Sequence, residues 1–302
     1  MSEQIVPDTE HRGLVTRLPQ LPRDLALLAR FDRPIGWWLL FWPCVWGVWL
    51  AGAGVQLILL GWLLLGSIAM RGSGCVYNDI VDADLDRQVA RTALRPVASG
   101  RVSKRTAWIW LVSLCLIGFV VLLQLRLEAQ LVALASLALV AAYPFMKRIT
   151  WWPQAWLGIV FSWGLPVAWA ELRFDNWDAL AAVYAGCICW VIGYDTIYAL
   201  QDREDDAMVG IRSSALAMGA RVRGGIAGFY AAAVGLWALG FWLYRADALA
   251  CLALLPVAGH LAWQVASLDP QDPANPLARF RANRTAGALM AAACFVVGNA
   301  GT

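Results

Sequence analysis

Asn78, Asp82 and Asp86 stand four residues apart, and Asp202 and Asp206 repeat that interval 120 residues downstream. On a helix this spacing puts every member of a set on one face. Each set is then a row of the hard oxygen donors that Mg²⁺ accepts. Both clusters end strongly apolar segments, where an unpaired carboxylate costs a few kcal/mol, so a bound cation is expected. Mg²⁺ favours one or two carboxylates plus substrate phosphates over an all-protein cage. Arg87, Arg91, Arg95 and Arg101 follow the first cluster, and Arg203 and Arg212 the second. Guanidinium groups suit phosphate oxygens, and the apolar segments suit a long hydrocarbon. A membrane-borne isoprenyl diphosphate meets all of these demands. Metal-assisted loss of its diphosphate leaves an allylic cation for a nucleophile to capture.

The elements that must position these rows are membrane helices. The chain has 302 residues, 60% hydrophobic and only 15% charged, with 18 Trp. Segments long enough for a hydrocarbon core of about 30 Å recur at 36–54, 57–77, 106–124, 128–146, 153–170, 178–198, 224–243, 246–266 and 285–301. The expected fold is all-α, a polytopic membrane protein of about nine transmembrane helices around a central cavity. Spans 1–4 and 5–8 form a pseudo-repeat of two four-helix sets, because each acidic cluster follows the second helix of its set. Residues 1–22 read as a loose polar tail, and 23–302 as one domain that opens with an amphipathic helix over 23–33 at the membrane surface.

Twenty of the 24 basic residues fall in the N-terminal tail and the even-numbered loops; Arg126, Arg173 and Arg245 lie opposite, and Arg71 sits inside span 2. The positive-inside rule makes the richer side cytoplasmic, and both acidic clusters lie on it. The N-terminus has no apolar signal segment and no transit peptide, which favours a multi-pass protein of a bacterial inner membrane with its site facing the cytoplasm. The seven cysteines all fall within spans and form no CxxC pair, so they read as small apolar residues. His11 and His260, far from the acidic clusters, argue against a zinc or iron centre. A cation transporter is the alternative from another class, but it would place its carboxylates near the midplane. Nucleic acid is not an expected partner, and protein partners are not legible.

Asn78-Asp79-x-x-Asp82-x-x-x-Asp86 followed by Arg91-Thr-x-x-Arg95-Pro96-x-x-Ser99-Gly100 resembles the first motif of the UbiA-type intramembrane prenyltransferases. Asp202-x-x-x-Asp206 is similar to their second motif, and Tyr143-x-x-x-Lys147 to the Tyr/Lys motif between the two. The resemblance runs from Arg33 onward. Asp32-Arg33-Pro34-Ile35-Gly36, Pro153-Gln154 and Tyr194-Asp195-x-x-Tyr198-Ala199 are similar to the branch of the family acting on 4-hydroxybenzoate. It implies transfer of a polyprenyl group from its diphosphate to the ring carbon ortho to the hydroxyl, in ubiquinone synthesis, with Mg²⁺ as cofactor. Acceptors of other family members (haem, homogentisate, naphthoate, chlorophyllide) are the alternatives.

By the same resemblance Asn78, Asp82, Asp86, Asp202 and Asp206 are the metal ligands, and Asp82, Asp202, Tyr143 and Asp195 the catalytic set. Arg91 and Lys147 contact phosphate, Tyr143 sits near the departing C–O bond, and Arg33 and Tyr198 are further substrate contacts. Arg71 and Asp195 also stand out on spacing alone, each seven residues before its cluster and so two turns deeper on the same face. An arginine that deep in a span needs an anion. Arg71 either pairs with Asp195 or receives the carboxylate of the aromatic acid. Asp84, Glu204 and Asp205 read as solvated or supporting groups, and Asp79 is ambiguous, adjacent to Asn78 yet three before Asp82.

Overall fold

Runs of Leu, Ala and Trp between short polar connections fold as helices, whose internal hydrogen bonds leave no mid-span backbone group bare in lipid. The computed structural model describes residues 15, 17–88, 92–173, 175–203, 207, 208, 210, 212–272 and 274–299, without the side chain of Asp202. Within these residues there is no strand. The helices are α1 (Gln20–Leu28), α2 (Ile35–Leu50), α3 (Leu57–Val81), the single turn α4 (Ala83–Asp86), α5 (Lys104–Leu122), α6 (Leu127–Ile149), α7 (Pro153–Ser162), α8 (Gly164–Leu172) and α9 (Trp177–Ala199). After them come α10 (Ser214–Met218), α11 (Val222–Arg245), α12 (Ala248–Leu252), α13 (Leu255–Ala266) and α14 (Asn275–Asn299).

Seven segments among the described residues are long and apolar enough to cross a membrane: α3, α5, α6, α7 with α8, α9, α10 with α11, and α12 with α13. The other two expected spans depart for different reasons. Helix α2 is apolar but has only 16 residues, and α14 runs for 25 residues with Arg279, Arg281 and Arg284 in its first half. The surface helix runs from Gln20 to Leu28, so it starts and stops ahead of the expected 23–33. The chain forms two compact units, one of Met1–Trp38 with Gly61–Gln124, the other of Leu39–Leu60 with Leu125–Thr302.

In the first unit, Leu28 and Ala29 at the end of α1 pack with Val76 and Ile80 of α3, Ala83 of α4, Val97 and Val102 of the following loop, and Ala107 and Leu114 of α5. The Trp110 indole donates to the Leu25 carbonyl at 3.1 Å, tying α5 to α1. Helix α1 closes with a Schellman arrangement: Phe31 N–H donates to Ala26 O at 3.0 Å and Arg30 N–H to Leu27 O at 3.2 Å. Arg30 takes the left-handed position of that motif, φ 59°, at a cost of about 1–2 kcal/mol for a residue with a Cβ. Glycine is the usual occupant there.

In the second unit, α9 and α11 run antiparallel in close contact. Gly186 and Gly193, seven residues apart on one face of α9, receive Trp237 and Tyr230, seven apart on α11. Small residues at a helix interface let backbones approach where lipid offers no hydrophobic drive. Trp46, Trp190 and Trp237 cluster with ring centroids 5.0, 5.5 and 6.4 Å apart, and all three are fully buried. A polar knot ties four helices of this unit together. Asn283 of α14 accepts from the Trp190 indole of α9 at 2.8 Å and donates to Gln264 of α13 at 3.0 Å. Tyr230 of α11 donates to Gln264 at 3.1 Å.

Candidate active site

Helix α3 ends at Val81, and Asp82 leaves helical geometry at φ −95°, ψ 4° before α4 begins. The hydrogen-bond ladder nevertheless carries through the break. Asp82 N–H donates to Asn78 O at 2.9 Å and Asp86 N–H to Asp82 O at 2.8 Å. Asn78, Asp82 and Asp86 therefore keep one helical face, as their spacing predicts. Asp82 is fully buried and Asp86 is 6% exposed, while Asn78 is half-buried.

Two arginines brace this row. Arg30 holds both oxygens of Asp79 at 2.9 and 3.1 Å. Arg95 Nη1 lies 3.2 Å from Asp79 Oδ1 and 3.1 and 2.9 Å from the two Asp86 oxygens. Thr92 Oγ1 donates to the Asp86 carbonyl at 2.9 Å, securing the loop that carries Arg95. Burial pushes the Asp86 carboxyl above the usual aspartate range against the pull of Arg95, and the charges of Asp79 and Asp82 push it further up. The ambiguous Asp79 is thus an internal counter-ion with 1% exposure. Asp84 is the solvated member, paired with Arg87 at 2.8 Å and mostly exposed.

The arginines expected to greet phosphate are thereby partly committed within the protein. Arg95 serves Asp79 and Asp86, and Arg101 Nε donates to the buried Asp24 of α1 at 3.0 Å. Spacing in the loop could not reveal the partner of Arg101, because Asp24 lies 77 residues before it. Arg91 and Asp206 lie outside the described residues.

Arg71 lies inside α3, half-buried, and packs against Gly36. A Cβ there would sit 2.7 Å from the Arg71 Nε. Arg33 donates through Nε to Asp32 at 3.0 Å. Asp32 is fully buried, and its other oxygen has no hydrogen-bond partner among the described residues. The Asp32-Arg33 dipeptide is therefore a buried anion with its cation held alongside.

In the second unit, Tyr143 and Lys147 share a face of α6, around the buried Pro144, in its last turns. The Lys147 carbonyl accepts from Arg212 N–H at 3.2 Å. Asp195 and Tyr198 lie on α9, which tightens into a 3₁₀ turn over Leu200–Asp202. Asp195 is half-buried. Phe280 of α14 packs on Tyr198 at 4.8 Å and on Tyr194 at 5.8 Å between centroids. Gln154, which the family pattern includes, is buried and accepts the Ser214 N–H at 3.0 Å. The structure thus brings together Asn78, Asp82 and Asp86 in one unit, and in the other the pairs Asp195 with Tyr198 and Tyr143 with Lys147.

No group of three or more His, Cys, Asp or Glu side chains among the described residues is set to hold a metal by itself. The donors present are an amide and two buried carboxylates, hard oxygens in an anionic setting. That set fits Mg²⁺, which completes its octahedron with substrate phosphates and water, and not a softer ion needing imidazole or thiolate.

Fold and site together define a multi-pass, all-helical membrane protein with an arginine-braced carboxylate row at the end of a span. A family model described as the UbiA prenyltransferase family matches residues 40–294. The mitochondrial 4-hydroxybenzoate polyprenyltransferase of Drosophila melanogaster is 41% identical over 273 residues, covering 89% of this chain and 69% of the relative. Its Arabidopsis thaliana counterpart is 38% identical over 283 residues, 90% of this chain and 68% of the relative. A solved UbiA homolog from Aeropyrum pernix K1 superposes with TM-score 0.70 at 26% identity, covering 86% of this chain and 97% of that one. The homolog from Archaeoglobus fulgidus bound to GPP and Mg²⁺ shares the fold at TM-score 0.69 and 17% identity, covering 91% and 99%. The chain belongs to the UbiA prenyltransferase family.

Proposed function

We propose that this protein transfers a polyprenyl group from polyprenyl diphosphate to the carbon of 4-hydroxybenzoate ortho to its hydroxyl, in a Mg²⁺-dependent reaction that releases diphosphate. The observation that carries the reading is the row Asn78, Asp82 and Asp86 at the end of a span, with both carboxylates buried. It occurs in a chain 41% identical to a 4-hydroxybenzoate polyprenyltransferase. The C–O bond of the allylic diphosphate breaks and its electron pair leaves with diphosphate. A ring carbon forms the new C–C bond and then loses its proton. When bound, Mg²⁺ would neutralise the negative charge that grows on the leaving group.

In this reading Asn78, Asp82 and Asp86 hold the metal, with Asp202 and Asp206 contributing from the second motif. Lys147 and Arg91 bind phosphate oxygens. Tyr143 and Asp195 face the reacting carbons, Tyr198 and Arg33 line the substrates, and Arg71 takes the carboxylate of the aromatic acid. Apolar walls exclude water, so the allylic cation meets the acceptor ring before hydrolysis. In the same reading the site opens on the cytoplasmic side of a bacterial inner membrane, and the basic loops on that side support this orientation.

The test is an incubation of membranes containing the protein with radiolabelled 4-hydroxybenzoate and a polyprenyl diphosphate, with Mg²⁺ or with EDTA. Label should pass into organic solvent only with Mg²⁺. Asp82→Ala should reduce that rate by about 10²–10³-fold, the scale set by losing one preorganised electrostatic group. No lipophilic product under any condition rejects the assignment, and near-normal turnover in Asp82→Ala rejects the metal row.

A further inference from the structure

We propose that Asp79 and Arg30 are positioning residues that set how much of the Arg95 charge rests on Asp86, and thereby how tightly the first aspartate row binds a divalent cation with diphosphate. The idea rests on the prenyl-transfer reading, but concerns two residues to which that reading gives no contact with substrate or metal.

The geometry is a branched chain of charges. Arg95 Nη1 carries two hydrogens and faces three acceptor atoms, one on Asp79 at 3.2 Å and two on Asp86 at 3.1 and 2.9 Å. Asp79 therefore competes with Asp86 for the same cation. Arg30 competes in turn for Asp79, holding both its oxygens at 2.9 and 3.1 Å. A divalent cation arriving at Asp86 must displace the share of Arg95 held there, so the division of charge upstream becomes an affinity downstream. Groups that orient a metal ligand from behind commonly change affinity by about 10–100-fold when altered.

The backbone supplies an independent observation. Arg30 occupies the left-handed position at the end of α1, where glycine closes a Schellman motif without strain. Within the turn Arg30 Nη1 donates to the Leu27 carbonyl at 2.8 Å, while Nη2 turns away to Asp79 at 2.9 Å. Strain kept at such a position points to a side chain that is needed there. The guanidinium is needed by Asp79, which is 1% exposed and lies 49 residues further along. Helix α1 is thereby more than a surface anchor, since the residue that closes its end reaches the carboxylates that end α3. The pair Asp24–Arg101 at 3.0 Å ties the same helix to the loop carrying Arg95.

Removing each partner shifts Arg95 in an opposite direction, which separates this proposal from a general loss of structure. Asp79→Asn releases Arg95 onto Asp86 and should weaken cation binding. Arg30→Gly relaxes the backbone, leaves Asp79 to draw Arg95 away from Asp86, and should tighten it. The measurement uses the full-length chain in detergent with Mn²⁺ and inorganic diphosphate, bound Mn²⁺ being read by electron paramagnetic resonance. Neither an acceptor nor a prenyl chain is involved, so a failed prenyl-transfer assay and a failed positioning network give separate results. The half-saturating Mn²⁺ concentration should rise about tenfold in Asp79→Asn and fall about threefold in Arg30→Gly. The double variant should match Asp79→Asn, because Arg30 acts only through Asp79. Arg30→Lys should restore most of the wild-type value. Shifts of the two single variants in the same direction, or both under twofold, overturn the proposal. Should Asp79→Asn fail to fold, an Arg30→Gly variant with unchanged or weaker Mn²⁺ binding overturns it alone.

Discussion

At the scale of single residues, local spacing and tertiary reach divide the site cleanly. The row Asn78, Asp82 and Asp86 is legible in the sequence because its members are joined by successive i to i−4 backbone bonds, which the structure retains through the break at Asp82. The partners of Asp79 are not legible, because Arg30 lies 49 residues away and no periodicity connects a surface helix to a span end. Nothing in the spacing around Gly36 singles it out, and its contact with Arg71 explains why a side chain there is a problem. In Gly36→Ala the new methyl meets the Arg71 Nε and displaces the guanidinium. If Arg71 takes the acceptor carboxylate, the KM for 4-hydroxybenzoate should rise about tenfold while that for the prenyl diphosphate stays within about twofold, since misplacement of a positioning group acts on the ligand it touches. Equal rises in both constants contradict that role.

At the scale of elements, hydropathy reads contact with lipid and little else. It located α3, α5, α6, α9 and α11 because most of their surface is apolar. It misread the beginning of α14 as a loop, since Arg279, Arg281 and Asn283 lower the local hydropathy although the segment is helical from Asn275. Asn283 is fully buried, and its amide joins α9, α13 and, through Gln264, α11. Asn283→Leu would leave the Trp190 indole N–H and the Gln264 amide N–H without the oxygen they donate to, each worth about 1–3 kcal/mol when truly orphaned and less where a neighbour repacks, as is common in membranes. A net loss of about 2–3 kcal/mol is expected. It should show as a lower thermal midpoint in detergent, and an unchanged midpoint would mean the knot contributes nothing to stability. The Gly186 and Gly193 notches were equally silent in the sequence, because a glycine in a span is common, and only the facing Trp237 and Tyr230 give these two their purpose.

At the scale of the whole molecule, charge carries what hydropathy cannot. In the proposed orientation, argued from the distribution of Lys and Arg, the loop after α3 faces the cytoplasm and the turn after α5 the opposite side. Native cysteines are buried or half-buried among the described residues, so an introduced thiol can report sidedness. Ser99→Cys should react with a membrane-impermeant maleimide in inside-out vesicles, and Gln124→Cys only in right-side-out ones. Reaction of both from one face would overturn the orientation and, with it, the cytoplasmic placement of the site. The tryptophan cluster of the second unit has an optical consequence. Trp46, Trp190 and Trp237 lie within 5.0–6.4 Å of one another, close enough for their electronic transitions to couple. The near-ultraviolet circular dichroism of the protein should therefore carry an exciton couplet from this cluster, and Trp46→Phe, which removes both shorter contacts, should abolish most of it. That signal would be a built-in gauge of helix packing, readable without any label.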